Sequence, residues 1–209
     1  FIHQEDDYIY GYGDRVSFKC DLNRNIVESA RTSVSLVNDF GHRYPAYPHG
    51  DSWYAGYRSN NRIYKLKGLQ IVEYCQLQNL FPYCLAPLND DLLITDMRGR
   101  EYYLIRQGKM FQVKLPAEYA LQDVMLHWCK GTTYLLNREK CHLYIVTADL
   151  KLKPILIRED KGFNQISFAL DRFILIGKQN KQHMLIDVVS QKLWPLNEWN
   201  KELEGDKVT

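Results

Sequence analysis

The feature that most constrains this chain is a sequence repeat with a period near forty residues. Five short segments rich in aromatic and aliphatic residues can be set in register, at 7–13, 52–58, 91–97, 132–138 and 172–178. Their second residues are Tyr8, Trp53, Leu92, Thr133 and Phe173, so the successive spacings are 45, 39, 41 and 40 residues. A repeat of this length is typical of small structural units that bury their apolar faces only by stacking on one another.

Each repeat contains four strand candidates, labelled a to d in chain order, and the aligned segment is strand b. Alternation of apolar and polar residues at period two predicts strands here rather than helices. The a candidates precede the aligned segment, at 1–4, 42–47, 81–88, 124–129 and 165–170. The c candidates follow a polar turn, at 16–20, 63–66, 101–105, 142–146 and 183–189. Strand d closes the unit, as at 110–115, 152–157 and 192–196.

Period and strand count together make the sequence similar to WD40-type and related β-propeller families over nearly the whole chain. The pair Gly41-His42 resembles the Gly-His pair that WD40 repeats place before strand a, whereas no unit carries their Trp-Asp dipeptide. The resemblance implies an all-β fold, a β-propeller built of about five four-stranded antiparallel blades.

The expected domain organisation is one propeller over 1–196 and a short C-terminal helical tail over 197–209. Asn197, Glu198 and Gly205 stand in the order of helix start and stop signals. Because the chain opens with Phe at a strand a, we expect one domain of a larger protein, with five blades or more. The competing fold is α/β, with a helix over 116–128. The blades are predicted at 1–29, 42–75, 81–115, 124–157 and 165–196.

Composition narrows the range of partners. The chain has 27 Lys and Arg against 25 Asp and Glu, a net charge of +2, so its bulk charge requires neither nucleic acid nor an anionic membrane. No run approaches the roughly 18 apolar residues of a membrane span. The cysteines form no C-x-x-C pair and lie mostly in apolar runs, which predicts reduced thiols and a cytoplasmic protein. They are Cys20, Cys75, Cys84, Cys129 and Cys141.

The sequence holds no local motif for phosphate, dinucleotide, calcium or zinc binding, so neither a cofactor nor a metal ion is predicted. A propeller glycosidase would need paired carboxylates, and the a strands contain no Asp or Glu. His3, His42 and His127 fall on a strands, either as core residues or as a cluster lining the channel. Acids in the a-to-b turns are either local turn caps or catalytic groups: Glu5, Asp6, Asp7, Asp51, Asp90, Asp91 and Asp171.

The turns between strands b and c are rich in cations. In a propeller these turns emerge on one face, where repetition would turn them into a basic ring able to bind oxyanions through the bidentate Arg fork. The alternative is that they are ordinary solvated residues that protect sheet edges. The nine cations are Arg15, Arg58, Arg62, Arg98, Arg100, Arg138, Lys140, Lys178 and Lys181.

These features favour a non-enzymatic propeller that serves as a platform for protein–protein interaction, with another protein as its partner. One alternative is binding of a phosphate, phosphoinositide or nucleic-acid backbone through the basic turns. Another is glycan binding or hydrolysis. The aromatic residues of the first two blades either fill the wedge between blades or form a sugar shelf: Tyr8, Tyr10, Tyr12, Trp53, Tyr54 and Tyr57.

Overall fold

A computed structural model shows twenty β-strands in five four-stranded sheets, each made of strands that are consecutive in the sequence. The prediction of five four-stranded units is therefore confirmed. The tail at 197–209 and the pair Gly41-His42 lie outside the residues that the structure describes. Those residues are 2–13, 15–33, 46–57, 61–77, 82–96, 101–116, 124–129, 131–137, 140, 142–156, 163–169, 173–178, 183–187, 189–190 and 192–195.

The chain divides into two compact units, and the first, residues 1–97 and 103–112, contains the first three sheets. Sheet 1 consists of β1 (Ile2–Glu5), β2 (Tyr8–Tyr12), β3 (Val16–Asp21) and β4 (Ile26–Arg31). Sheet 2 consists of β5 (Ala46–His49), β6 (Ser52–Tyr57), β7 (Arg62–Lys67) and β8 (Gln70–Gln76). Sheet 3 consists of β9 (Pro82–Leu88), β10 (Asp91–Asp96), β11 (Tyr102–Arg106) and β12 (Lys109–Val113).

The second unit, residues 98–102 and 113–209, contains the last two sheets. Sheet 4 consists of β13 (Val124–Cys129), β14 (Thr132–Asn137), β15 (His142–Val146) and β16 (Leu152–Leu156). Sheet 5 consists of β17 (Phe163–Ala169), β18 (Phe173–Lys178), β19 (His183–Asp187) and β20 (Leu193–Pro195).

Sheets 1 and 2 stack through an aromatic core. Tyr12 of β2 is buried with Ala55, Tyr64 and Leu66 of sheet 2, and Trp53 packs against the same cluster. Since these residues are large and apolar, their burial supplies the driving force for stacking. Of the aromatic residues that could fill the wedge between blades or form a sugar shelf, Tyr12 and Trp53 fill the wedge.

Two side-chain hydrogen bonds also join sheets 1 and 2. The hydroxyl of Tyr12 donates to the carbonyl of Gly68 at 2.6 Å, and the hydroxyl of Ser17 donates to the carbonyl of Leu69 at 2.7 Å. Both acceptors lie in the turn between β7 and β8, where Gly68 adopts a positive φ of 54°. The turn is thus fastened to a sheet more than fifty residues away in the sequence. Within the same unit, β9 packs against β5 and β6.

Sheets 4 and 5 stack through an aliphatic core instead. Strands β14, β15 and β16 contribute one side of the cluster, while β18 and β19 contribute the other. The buried residues are Tyr134, Leu136, Leu143, Ile155, Ile174, Ile176, Met184 and Ile186.

The second strands of sheets 3 and 4 are covered on both faces. In β10 all residues from Asp91 to Thr95 are buried, and in β14 all from Thr133 to Asn137 are buried. Such strands read as continuous apolar runs because neither face meets solvent. The competing α/β fold is wrong, since Val124 and Met125, which it placed in a helix, belong to β13. Across the ranges given above, no helix is long and apolar enough to span a membrane.

Side chains at one repeated position close the turns between the third and fourth strands. Asp21 accepts a hydrogen bond from the backbone N–H of Asn25 at 2.8 Å, and Asp187 accepts one from that of Val189 at 3.0 Å. Thr147, at the equivalent place in sheet 4, accepts from the N–H of Lys151 at 3.1 Å. Short polar side chains favour such turns because they replace a backbone acceptor locally.

Candidate protein-interaction surface

Of the cations predicted to form a basic ring, the side chains of three are described. Arg15 lies exposed in the turn between β2 and β3 with a φ of 56°, and its carbonyl accepts the N–H of Thr32 at 2.9 Å. Lys140 is exposed between β14 and β15, and its N–H donates to Asn137 at 3.4 Å. Both side chains face solvent, which agrees equally with an anion-binding ring and with ordinary solvated turn residues.

Arg62 is engaged within its own sheet. It is the first residue of β7, and its Nε lies 2.6 Å from Oε1 of Gln76 and 3.2 Å from Oε2 of Glu73, both on β8. The Glu73 carboxylate offsets part of the positive charge of Arg62, so this guanidinium attracts an incoming anion less strongly. Lys178 ends β18, with its side chain not described. The other ring members fall outside the described ranges, so the basic ring stays a prediction: Arg58, Arg98, Arg100, Arg138 and Lys181.

Two acids of the a-to-b turns form ion pairs with cations at the far end of the third strand. Asp51 pairs with Lys67, and its Oδ1 lies 3.9 Å from Nζ of Lys65. Asp91 accepts hydrogen bonds from two guanidinium nitrogens of Arg106. Nε lies 2.9 Å from Oδ1 and 3.2 Å from Oδ2, and Nη2 lies 2.7 Å from Oδ2. Neither of the two alternatives for these acids, a local turn cap or a catalytic group, anticipated such a pairing. The partners of both acids lie across the sheet.

This pairing bears on acid–base chemistry. The hydrogen bond from Lys67, followed by that from Ser52, lowers the pKa of Asp51 to about 2. A general acid needs a carboxyl group that holds its proton near neutral pH, and Asp51 does not. The guanidinium of Arg106 likewise occupies both oxygens of Asp91. Both carboxylates therefore pair with cations of their own sheets.

The a-strand histidines are described at one position. His127 of β13 is half-buried, and burial lowers its pKa, so the ring is neutral at physiological pH. The side chain of His3 is not described and His42 lies outside the described ranges. Among the residues that can be examined, no group of three His, Cys, Asp or Glu side chains could hold a metal ion.

Four of the five cysteines are described, and Cys129 among them is half-buried. Cys20, Cys75 and Cys84 are buried, and burial raises the pKa of Cys75. A buried, protonated thiol is a packing residue rather than a nucleophile. Cys141 lies outside the described ranges.

The fourth strands of sheets 1 to 3 carry exposed apolar side chains that sequence reasoning missed. Ile26 and Val27 on β4 are 68% and 57% exposed, Val72 on β8 is 55% exposed, and Phe111 on β12 is 50% exposed. We call these four residues the edge-strand patch. In the order of the described strands all three are sheet edges, so one side of each faces away from its ladder. Ile26 and Val27 stand next to each other and break the alternation of period two, a signal that the sequence did contain.

Solved structures that resemble this chain include β-propellers. Virginiamycin B lyase from Staphylococcus aureus aligns with a TM-score of 0.62 at 15% identity, covering 93% of this chain and 68% of its own. The WD40 propeller domain of Doa1 aligns with a TM-score of 0.58 at 10% identity, covering 88% and 62%. YCF48 bound to D1 peptide aligns with a TM-score of 0.58 at 10% identity, covering 93% and 65%. No protein-family model and no curated protein sequence matches this chain.

These similarities define the fold class. The chain is an all-β protein of the β-propeller class, built of five four-stranded units that are loosely similar to WD40 blades, as the sequence predicted. At identities of 15% and below, a structural likeness speaks to the fold and not to the reaction, because one fold hosts many functions.

Proposed function

We propose that this chain is a non-enzymatic platform that binds another protein through the edge strands of its first three sheets. The observation that carries the proposal is the edge-strand patch, four large apolar side chains at least half exposed on three edge strands of one compact unit. Single exposed apolar residues are common on protein surfaces. Their recurrence on the fourth strand of three successive sheets is what favours a binding role.

The chemistry of the polar residues supports a binding role over catalysis. Asp51 and Asp91 are neutralised by cations of their own sheets, and His127 has a pKa lowered by burial. Among similar folds, YCF48 is found with a peptide bound, which supports a protein partner for this propeller too. We further propose that the protein works in a reducing compartment such as the cytoplasm, supported by the buried thiols of Cys20 and Cys75.

The test is retention of cellular proteins by the immobilised chain, compared between the wild type and a variant carrying Val27→Lys, Val72→Lys and Phe111→Lys. We expect the proteins enriched by the wild type to be lost from the triple variant, because each lysine places a hydrated charge where a partner would bury apolar surface. The matched control is Val189→Lys, at a 75% exposed position in the turn before β20.

The control should retain the same proteins as the wild type. Equal retention by the triple variant would place the binding surface elsewhere. An absence of enriched proteins relative to an unrelated propeller used as bait would contradict the platform function itself. Unfolding midpoints in urea for all variants separate loss of binding from loss of structure.

A further inference from the structure

We propose that β4 accepts an extended segment of a partner protein as a fifth, antiparallel strand of sheet 1. This inference rests on the proposed function and specifies how the partner is bound. β4 is the fourth strand in the sheet order, so among the described strands it has a neighbour, β3, on one side only. It is exposed along its whole length except at Ala30, which is half-buried.

The backbone register shows which groups of β4 point outward. The N–H of Thr32 donates to the carbonyl of Arg15 at 2.9 Å, so residues 15 and 32 form a hydrogen-bonded pair. Hydrogen-bonded and non-hydrogen-bonded pairs alternate along an antiparallel ladder. The 17–30 and 19–28 pairs therefore belong to the hydrogen-bonded class, with their backbone groups directed at β3. The N–H and C=O groups of Ser29 and Arg31 point the other way, toward the open edge.

The side chains of β4 indicate the chemistry of the incoming segment. Glu28 lies opposite Lys19, and Arg31 lies opposite Val16. Because Glu28 and Arg31 are three residues apart on one strand, their side chains lie on opposite faces of the sheet. Both charged residues are exposed. A complementary strand therefore places a basic residue beside Glu28, an acidic residue beside Arg31, and two apolar residues beside Ile26 and Val27. Read antiparallel to β4, the pattern is acidic, any, any, basic, apolar, apolar.

The fourth strands of the other sheets are less suited to this role. Pro154 interrupts β16 and Pro195 ends β20, and proline removes the backbone donor that an added strand would need. On β8, the carbonyl of Tyr74 lies so close to Gly108 of the β11–β12 turn that a Cβ there would come within 3.1 Å. That edge is already approached by the neighbouring sheet. β12 begins with Lys109, a residue type that protects edges from pairing.

The experiment measures binding of a fluorescent peptide, Asp-Thr-Val-Lys-Ile-Val, to the full chain by anisotropy. Its third residue faces Ser29 in the antiparallel register. We expect saturable binding that falls about tenfold when that third residue is N-methylated, because its N–H is the donor to Ser29. N-methylation of the fourth residue, whose N–H points away from β4, should change the affinity less than about twofold. Exchanging the acidic and basic residues of the peptide should also weaken binding.

Variants of the protein give the reciprocal test. Ser29→Pro removes an outward N–H while the ladder to β3 stays intact, and it should weaken peptide binding about tenfold. Ser29→Ala keeps the backbone donor and should bind as the wild type does. Equal affinities for the two N-methylated peptides, or no binding of any peptide, would overturn strand addition. A wild type that is a dimer in light scattering, and a Ser29→Pro variant that is a monomer, would show that a second copy occupies the edge instead.

These outcomes separate the two proposals. If the wild type enriches cellular proteins and Ser29→Pro enriches the same set, the platform stands and strand addition is wrong. If the peptide binds in the predicted register but the wild type enriches no cellular protein, the edge chemistry stands and the platform proposal fails.

Discussion

The contact that fastens the β7–β8 turn to sheet 1 can be tested by removing single hydroxyl groups. Tyr12→Phe deletes the donor to the Gly68 carbonyl, a bond of 2.6 Å, and keeps the buried ring. A typical intramolecular hydrogen bond contributes about 0.5 to 1.5 kcal/mol. Because Tyr12 is 2% exposed, no water can readily replace the lost partner, so we expect a cost of about 1 to 1.5 kcal/mol. Ser17→Ala should cost about 1 kcal/mol for the same reason.

The assay is urea denaturation followed by tryptophan fluorescence. Trp53 packs against the cluster that contains Tyr12, so its emission reports on this contact. We expect each variant to lower the midpoint with little change in slope. The two hydrogen bonds hold one turn, so the double variant should depart from additivity, since groups that share a structural element are coupled. Midpoints that match a surface control such as Val189→Ala would show that sheets 1 and 2 do not meet through this turn.

Four further outcomes follow from the structure. Gly11→Ala should destabilise the protein by about 1 to 3 kcal/mol in urea, since its Cβ would lie 2.0 Å from the Phe18 ring, whereas Gly13→Ala, with 3.6 Å to its nearest neighbour, should be nearly neutral. Burial lowers the pKa of His127, so as pH falls the unfolded chain binds a proton at this residue before the folded chain does. Stability should therefore fall as pH drops below about 6.5. His127→Gln should reduce the difference between the urea midpoints at about pH 7.5 and about pH 5.5. Cys75 should react slowly with a thiol reagent until urea unfolds the chain, while rapid modification in the native state would contradict its burial. If the turns between strands b and c bind anions, retention of the protein on heparin should decrease with salt and should be weaker for Arg15→Ala. Retention that does not change with salt would rule out anion binding by these turns.

Much of the fold was predictable because it depends on local alternation. The aligned segments that begin near Tyr8 and Leu92 are strands β2 and β10, and the turns that separate them from the next strand fall where the polar residues are. The continuous apolar run of β10 was predictable in the same way, since a strand covered on both faces has no polar side. Local pattern was also enough to choose strand over helix at Val124.

The candidate site was predicted poorly, because its properties depend on neighbours distant in the sequence. Arg62 was expected to be a free turn cation, and it contacts Glu73 across its sheet. Asp91 was expected to be either a turn cap or a catalytic group, and it binds Arg106 across its sheet. Nothing local to either residue specifies such a partner, because the pairing follows from strand register.

The sequence by itself determined that this chain forms five four-stranded units, since the hydrophobic period and the forty-residue repeat are encoded residue by residue. Only the tertiary structure decided which polar groups meet, as with Tyr12 and the carbonyl of Gly68, and which backbone groups point away from the ladder to β3, as at Ser29. The physical reason is that stacking and register bring together residues separated by whole repeats, and the free energy of those contacts is absent from any local window of sequence.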